Sequence, residues 1–166
     1  TFTNITAGSG LDVGMYAMGV AAADYDNDSR EDLYITALEG DRLFHNEGGG
    51  KFRDVTKASG INNANFGTSA AWLDYDKDGR ADIFVANYVQ WTVKGDLWCS
   101  LDGAAKSYCT PESYKGTASK LYRNAGASGL FVPGLRDPEE IRAVAAGAGL
   151  PLNVMAWPRL PAAPEL

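Results

Sequence analysis

Two nine-residue stretches rich in aspartate, 50 residues apart, constrain this chain more than any other feature. Residues 24–32 read DYDNDSRED and residues 74–82 read DYDKDGRAD. Asp24, Asp26, Asp28 and Asp32 in the first recur as Asp74, Asp76, Asp78 and Asp82 in the second. These eight residues also account for the charge. Of 21 acidic side chains, the 13 others face 15 Lys and Arg, so the formal net charge of −6 comes from two short segments. A basic face of the kind that binds nucleic acid is not expected in a chain with a pI near 4.7. No apolar run approaches the roughly 18–20 residues that span a bilayer. At 166 residues with 45% hydrophobic content, the chain is long enough to bury a core. Thr1 is not an initiator Met and no signal-peptide pattern follows it, so any targeting segment is expected to lie outside this stretch or to have been removed.

The offset of 50 extends beyond the acidic segments. Phe2, Thr6, Ser9 and Gly10 match Phe52, Thr56, Ser59 and Gly60, and Ala21, Tyr25 and Arg30 match Ala71, Tyr75 and Arg80. A period of this length points to a propeller, a solenoid or an array. A third partial copy lies later, where RLFHN (42–46) resembles KLYRN (120–124) at an offset of 78. The extra residues fall at about 88–119, which reads as an insertion in the second repeat. LYIT (33–36) and IFVANY (83–88) follow the acidic segments as β-branched and aromatic runs. GVAAA (19–23) and SAAWL (69–73) precede them as small, tightly packing strands. RLFHN and then EGGGKFRDVT (47–56) read as strand, glycine turn, strand. The predicted fold is therefore mainly β, with about two repeats of several short strands around one acidic turn over residues 1–125.

The pattern D-x-D-x-D-(G/S)-x-x-D sets three carboxylates at alternate positions of a tight loop and a fourth four residues later. Calcium takes about 6–8 oxygen ligands at roughly 2.3–2.6 Å, often with a backbone carbonyl among them. Here the carbonyl falls to Arg30 and Arg80, whose side chains are expected to face outward. Four such carboxylates repel one another unless a cation joins them. Gly79 suits a sharp turn with positive φ, and Ser29 in its place is expected to weaken the first loop. An EF-hand is excluded, because its twelfth position would be Ile35 or Val85 and strands, not helices, flank the loops. Magnesium keeps more of its waters and fits less well. The plainer alternative is a pair of solvated acidic turns that hold nothing tightly.

With these motifs together, GVAAADYDNDSREDLYIT, RLFHNEGGGKFRDVTKASGI and AAWLDYDKDGRADIFVANY resemble FG-GAP/VCBS-type repeats. These are the calcium-binding blades of integrin-α-like β-propellers, and the nearest set is ASPIC/UnbV and cartilage-acidic-protein-like. The resemblance covers about residues 1–125. It implies calcium at two sites, held by Asp24, Asp26, Asp28, Arg30 and Asp32, and by Asp74, Asp76, Asp78, Arg80 and Asp82. Two bound calcium ions would bring the charge from −6 to −2. It also implies an extracellular, periplasmic or cell-surface protein with a structural, adhesive or ligand-binding role and no catalysis. Its partners would be a protein or glycan ligand, or copies of itself in a homo-oligomer or filament. A closed propeller typically needs 4–8 blades. About two blades make a fragment, an open array or a subunit completed by other chains, and TFTNIT at the start reads as a strand that could be donated to a neighbour.

Cys99 and Cys109 are the only cysteines and both lie in the insertion. In a chain of this resemblance they are most simply a disulfide closing a short loop, worth on the order of 2–3 kcal/mol in the chain-entropy model. Two reduced thiols are the alternative, and zinc has too few ligands here. Asn4-Ile5-Thr6 and Asn27-Asp28-Ser29 fit the glycosylation triplet, the second only if Asn27 faces outward from its loop. His45, the single histidine, reads as structural within a strand. No Ser/His/Asp or Cys/His arrangement can be assembled. Trp72, Trp91, Trp98 and Trp157 read as packing residues.

After Asn124 the repeat stops. Residues 126–166 read as a β-α-β segment: strand GLFVPG, a helix opened by Asp137, Pro138, Glu139 and Glu140, then strand PLNVMA. This segment resembles a late piece of the barrel of the isocitrate lyase/phosphoenolpyruvate mutase superfamily. The resemblance implies a chimera or a tail that pairs with a neighbouring chain, and it supplies a second functional class: a phosphonomutase-like enzyme fragment. That fragment would be inactive, because nothing here corresponds to the family's catalytic residues. The plainer reading is a helix-containing cap over the last blade.

Overall fold

The computed structural model describes residues 1–126, 130–131 and 152–153. The chain divides into two units, Thr1–Asn124 and Ala125–Leu166. In the first unit, β1 (Ala17–Ala23), β2 (Asp32–Ala37), β3 (Arg42–Gly48) and β4 (Lys51–Asp54) form a four-stranded antiparallel meander. β5 (Gly67–Leu73), β6 (Asp82–Asn87) and β7 (Lys120–Tyr122) form a three-stranded antiparallel sheet.

The two sheets are copies of one unit. β1 and β5 begin and end 50 residues apart, and so do β2 and β6. The pairings repeat as well: Ala21 faces Tyr34 as Ala71 faces Phe84, and Ala23 faces Asp32 as Leu73 faces Asp82. Both copies carry the same irregularity near the start of the first strand, between Ala17 and Gly19 and between Gly67 and Ser69. A bulge of this kind sharpens the local twist. The turn from β3 to β4 uses Gly48, Gly49 and Gly50, all at positive φ, where a side chain would be strained.

The sheets stack, with β5 against β1 and β2. Small residues allow the approach. A Cβ on Gly19 would lie 2.8 Å from the Thr68 carbonyl oxygen on β5. Between the sheets, Tyr34, Leu43 and Val55 of the first copy pack with Ile83 and Val85 of the second, and Trp72, Tyr25, Ile61 and Tyr122 close the periphery. Trp72 stands edge-on to Tyr34, with ring centroids 6.3 Å apart. A polar network is also buried. Asp41, at the turn between β2 and β3, accepts hydrogen bonds from the Tyr34 hydroxyl at 2.8 Å, the Asn63 amide at 2.6 Å and the Ala37 N–H at 2.9 Å. Burial, with the Asp41 charge second, pushes the Tyr34 hydroxyl well above the ordinary phenol range.

The segment between β6 and β7 carries a 3₁₀ turn at Pro111–Ser113 and the disulfide between Cys99 and Cys109. Isolated bridges pair Val89 with Gly116 and Cys99 with Ser107. In the second unit, β8 (Leu130–Phe131) and β9 (Leu152–Asn153) pair in parallel. The helix expected between them, and Trp157, lie outside the described residues.

Candidate metal-binding turns

Each acidic turn begins where the first strand of a sheet ends and closes where the second begins, so the hairpin itself gathers the carboxylates. Its backbone needs two residues at positive φ. These are Asn27 (61°) and Ser29 (69°) in the first turn, and Lys77 (60°) and Gly79 (83°) in the second. Ser29 therefore adopts the conformation that glycine adopts freely in the other copy. The first aspartate of each turn braces this path. Asp24 accepts the Asp28 and Ser29 N–H groups at 2.9 and 2.7 Å, and Asp74 accepts those of Asp78 and Gly79 at 3.0 Å each. Asp28 and Asp78 in turn accept the N–H groups of Arg30 and Arg80, both at 2.9 Å.

The result is the same cluster twice. Carboxylate oxygens of Asp24, Asp26 and Asp28 lie within 4.8 Å of one another, and so do those of Asp74, Asp76 and Asp78. Two oxygens across a calcium ion stand about 4.6–5.2 Å apart, twice the metal–oxygen distance. Each cluster is thus close enough for its three carboxylates to share one cation. An all-oxygen, carboxylate-rich donor set also suits a hard divalent cation.

The fourth aspartate is placed differently from the other three. Asp32 and Asp82 are fully buried at the first residue of β2 and β6. Asp32 accepts the Tyr25 N–H at 3.3 Å and the Asn46 N–H at 2.7 Å. Asp82 accepts those of Tyr75 at 3.2 Å and Asn124 at 2.7 Å. Asp32 thereby ties its turn to β3, and Asp82 ties its turn to the residues just after β7. A carboxylate has about four lone-pair sites, so two N–H partners leave capacity for a cation.

Cationic and imidazole side chains face these carboxylates. His45 on β3 places Nδ1 3.2 Å from Asp26 Oδ2 and 3.3 Å from Asp32 Oδ1. Arg123, at the matching position after β7, donates from Nε to Asp76 Oδ2 at 2.6 Å, and its Nη2 lies 3.6 Å from Asp78 Oδ2. His45 is therefore in a strand as expected, but it contacts the first acidic turn and is not a bystander of the sheet. The alignment of RLFHN with KLYRN sets His45 against Arg123 but does not by itself show that either side chain reaches an acidic turn. The Arg30 and Arg80 side chains also depart from the outward orientation expected of them. The Arg30 guanidinium pairs with Asp28 and donates to the Asn46 carbonyl at 2.6 Å, and Arg80 pairs with Asp78 at 3.0 Å. Both turn back because a carboxylate two residues away lies within reach. Desolvation, with the Asp28 charge second, holds the Asp26 carboxyl above its ordinary range, so its ionised form is disfavoured without a cation.

Asn27 is exposed, and its amide donates to the Gly79 carbonyl at 3.4 Å, linking the two turns. Asn4 is exposed, and its Oδ1 accepts the Thr6 N–H at 2.9 Å. In the insertion, an open groove of about 870 Å³ is lined by Phe66, Tyr88, Trp91, Tyr108 and Tyr114, with Asp96 and Lys106 at its edge. Asp96 pairs with Lys106 and accepts from Trp91 Nε1 at 2.9 Å and the Tyr114 hydroxyl at 3.1 Å. Trp72 and Trp91 pack as expected, whereas Trp98 is exposed.

Stacked antiparallel sheets of one repeated unit, each with an acidic turn between its first two strands, define a β-repeat protein. Residues 30–85 match the family described as FG-GAP-like repeat, and residues 118–166 match the family described as phosphoenolpyruvate phosphomutase. The second match covers 49 residues and begins ahead of β7, although β7 pairs antiparallel with β6 in the repeat unit. No curated protein matches the chain. Among the described residues, no helix is long and apolar enough to cross a membrane.

Proposed function

We propose that the chain is a calcium-binding extracellular module, in which two ions set the geometry of stacked β repeats that bind or link other molecules. The observation that carries this reading is the duplication of one turn, with three carboxylates within 4.8 Å of one another in each copy. Asp24, Asp26 and Asp28 would hold one ion and Asp74, Asp76 and Asp78 the other, with the Arg30 and Arg80 carbonyls and the buried Asp32 and Asp82 completing each set. The bound ion neutralises carboxylates that otherwise repel, and it fixes the turn joining the first two strands. The FG-GAP-like match supports a repeat module, and the disulfide supports an oxidising, extracellular or periplasmic setting. The role is binding or structural and not enzymatic. The aromatic groove of the insertion is the surface offered to a protein or glycan ligand.

Calorimetric titration tests this. Calcium is expected to fill two sites, and Asp76→Ala is expected to lower the stoichiometry to one while the first site persists. Absence of calcium binding to the unaltered chain at millimolar concentration contradicts the reading.

A second reading rests on the match over residues 118–166: a fragment of a phosphonomutase-like barrel joined to the β repeats, inactive by itself. The two matches, over residues 30–85 and 118–166, support a chain of two origins. Turnover of a phosphonate or 2-hydroxy-acid substrate, lost on deletion of residues 126–166, would favour catalysis over binding.

A further inference from the structure

The single histidine of the chain meets the first acidic turn where an arginine meets the second. The His45 side chain is 11% exposed, and its Nδ1 is fully enclosed and makes no hydrogen bond. That nitrogen nevertheless stands 3.2 Å from Asp26 Oδ2 and 3.3 Å from Asp32 Oδ1. A buried polar atom without a hydrogen bond is costly unless another partner meets it. Asp32 is itself fully buried, and its Oδ1 accepts only the Asn46 N–H among the described hydrogen bonds, which leaves it a lone pair. The Tyr25 ring stands edge-on to the imidazole, with centroids 6.3 Å apart, and walls the group on one side. Ligand atoms of Asp26, Asp32 and His45 all lie within 4.8 Å of one another.

The second turn lacks this donor set. Arg123 takes the place of His45, and its Nε donates at 2.6 Å to Asp76 Oδ2, on the carboxylate equivalent to Asp26. A guanidinium keeps its proton and has no lone pair to give, so it neutralises a carboxylate but cannot ligate a metal. The two turns therefore differ in donor chemistry: oxygens with one imidazole nitrogen in the first, oxygens alone in the second. Imidazole suits zinc, copper, iron and nickel, whereas calcium draws on oxygen. Donors held at about 2.0–2.1 Å in a tetrahedral sphere stand about 3.3–3.4 Å from one another, close to both contacts of Nδ1.

We propose that His45, Asp26 and Asp32 form a site for a first-row transition-metal ion such as zinc, in the first turn only. The ion would take His45 Nδ1, Asp26 Oδ2 and Asp32 Oδ1, with water completing the sphere. The imidazole proton then sits on Nε2, where Asp28 Oδ2 stands 3.8 Å away, and a carboxylate on that side steadies a ligating histidine. The cysteines take no part, because they are joined to each other. Asp26 and Asp32 also belong to the calcium set of this turn, so the two ions compete there, while the second turn is left to calcium. The proposal rests on the reading that the first turn holds a cation, but not on that cation being calcium.

Titration of the full, untagged chain with zinc in calcium-free buffer, followed by the nitrogen-15 signals of its imidazole, tests this. With one histidine in the chain, those signals need no assignment. Zinc is expected to shift the Nδ1 signal and to hold the proton on Nε2. His45→Gln is expected to weaken zinc binding in calorimetry by about tenfold or more, since even the partners of metal ligands are worth that much. Its melting temperature in chelator provides the folding control, and the imidazole signals of the unaltered chain decide the matter without any variant. Imidazole signals that stay unmoved up to millimolar zinc overturn the proposal, as does zinc binding by folded His45→Gln as tight as that of the unaltered chain. Calcium uptake at two sites is measured in parallel. That uptake without an imidazole response to zinc would overturn this proposal alone, and the zinc response in a chain that takes up no calcium would overturn the calcium reading alone.

Discussion

Ser29 and Gly79 occupy the same position of the same turn, at φ of 69° and 83°. An L-residue in the left-handed region costs roughly 1–2 kcal/mol that glycine avoids. Gly79→Ala is therefore expected to lower stability by about 1 kcal/mol, with the whole effect conformational, because nothing lies within 4 Å of the added Cβ. Ser29→Gly is expected to raise stability by up to about 1 kcal/mol, less the entropy that glycine adds to the unfolded chain. Chemical denaturation of the two variants against the parent checks both signs. This difference was legible, because D-x-D-x-D-G and D-x-D-x-D-S differ at one letter with a known backbone meaning. The placement of His45 was not. Nothing local in RLFHN shows that the histidine faces the acidic turn, since that depends on the pairing of β3 with β2 across the hairpin. The buried positions of Asp32 and Asp82 were hidden for a similar reason: their partners Asn46 and Asn124 lie 14 and 42 residues away.

Among the elements, the strands around the acidic turns were readable, and what joins them was less so. β1, β2, β5 and β6 repeat at the offset that the aspartates announce. Asp41 carries no such mark, yet its carboxylate unites the turn after β2 with Tyr34 and with Asn63, 22 residues on. Removing it strands several buried partners. Asp41→Ala is expected to cost about 3–4 kcal/mol in denaturant unfolding, the sum of unsatisfied groups worth about 1–3 kcal/mol each. The insertion offers a pH test. The Lys106 hydrogen bond first, then that of Trp91, brings the Asp96 carboxyl down to about 2. A depressed carboxyl stabilises the folded form above its ordinary value of 3.8 and loses that contribution as pH falls through about 2. Side-chain NMR of Asp96 is therefore expected to show titration near pH 2, and Lys106→Met is expected to move it upward. An unshifted midpoint near 4 in the parent would remove the pairing from the account. The disulfide between Cys99 and Cys109 closes the same segment and agrees with the sequence reading.

For the molecule as a whole, charge and repeat describe one arrangement. The eight aspartates responsible for the net charge occupy two turns at equivalent corners of stacked sheets. The helix expected in the tail lies outside the described residues, and the parallel pair of β8 with β9 is what the structure adds there. The central claim is that cations complete these turns, and a ligand bound only by the folded chain must stabilise it. Thermal melting in excess calcium and in chelator measures this directly. At a hundredfold excess over the dissociation constant, each site is expected to contribute about 2.7 kcal/mol, and with both sites filled the melting temperature is expected to rise by roughly 10–20 °C. The same rise is expected to shrink by about half in Asp76→Ala. Identical melting temperatures for the unaltered chain in calcium and in chelator would contradict the account.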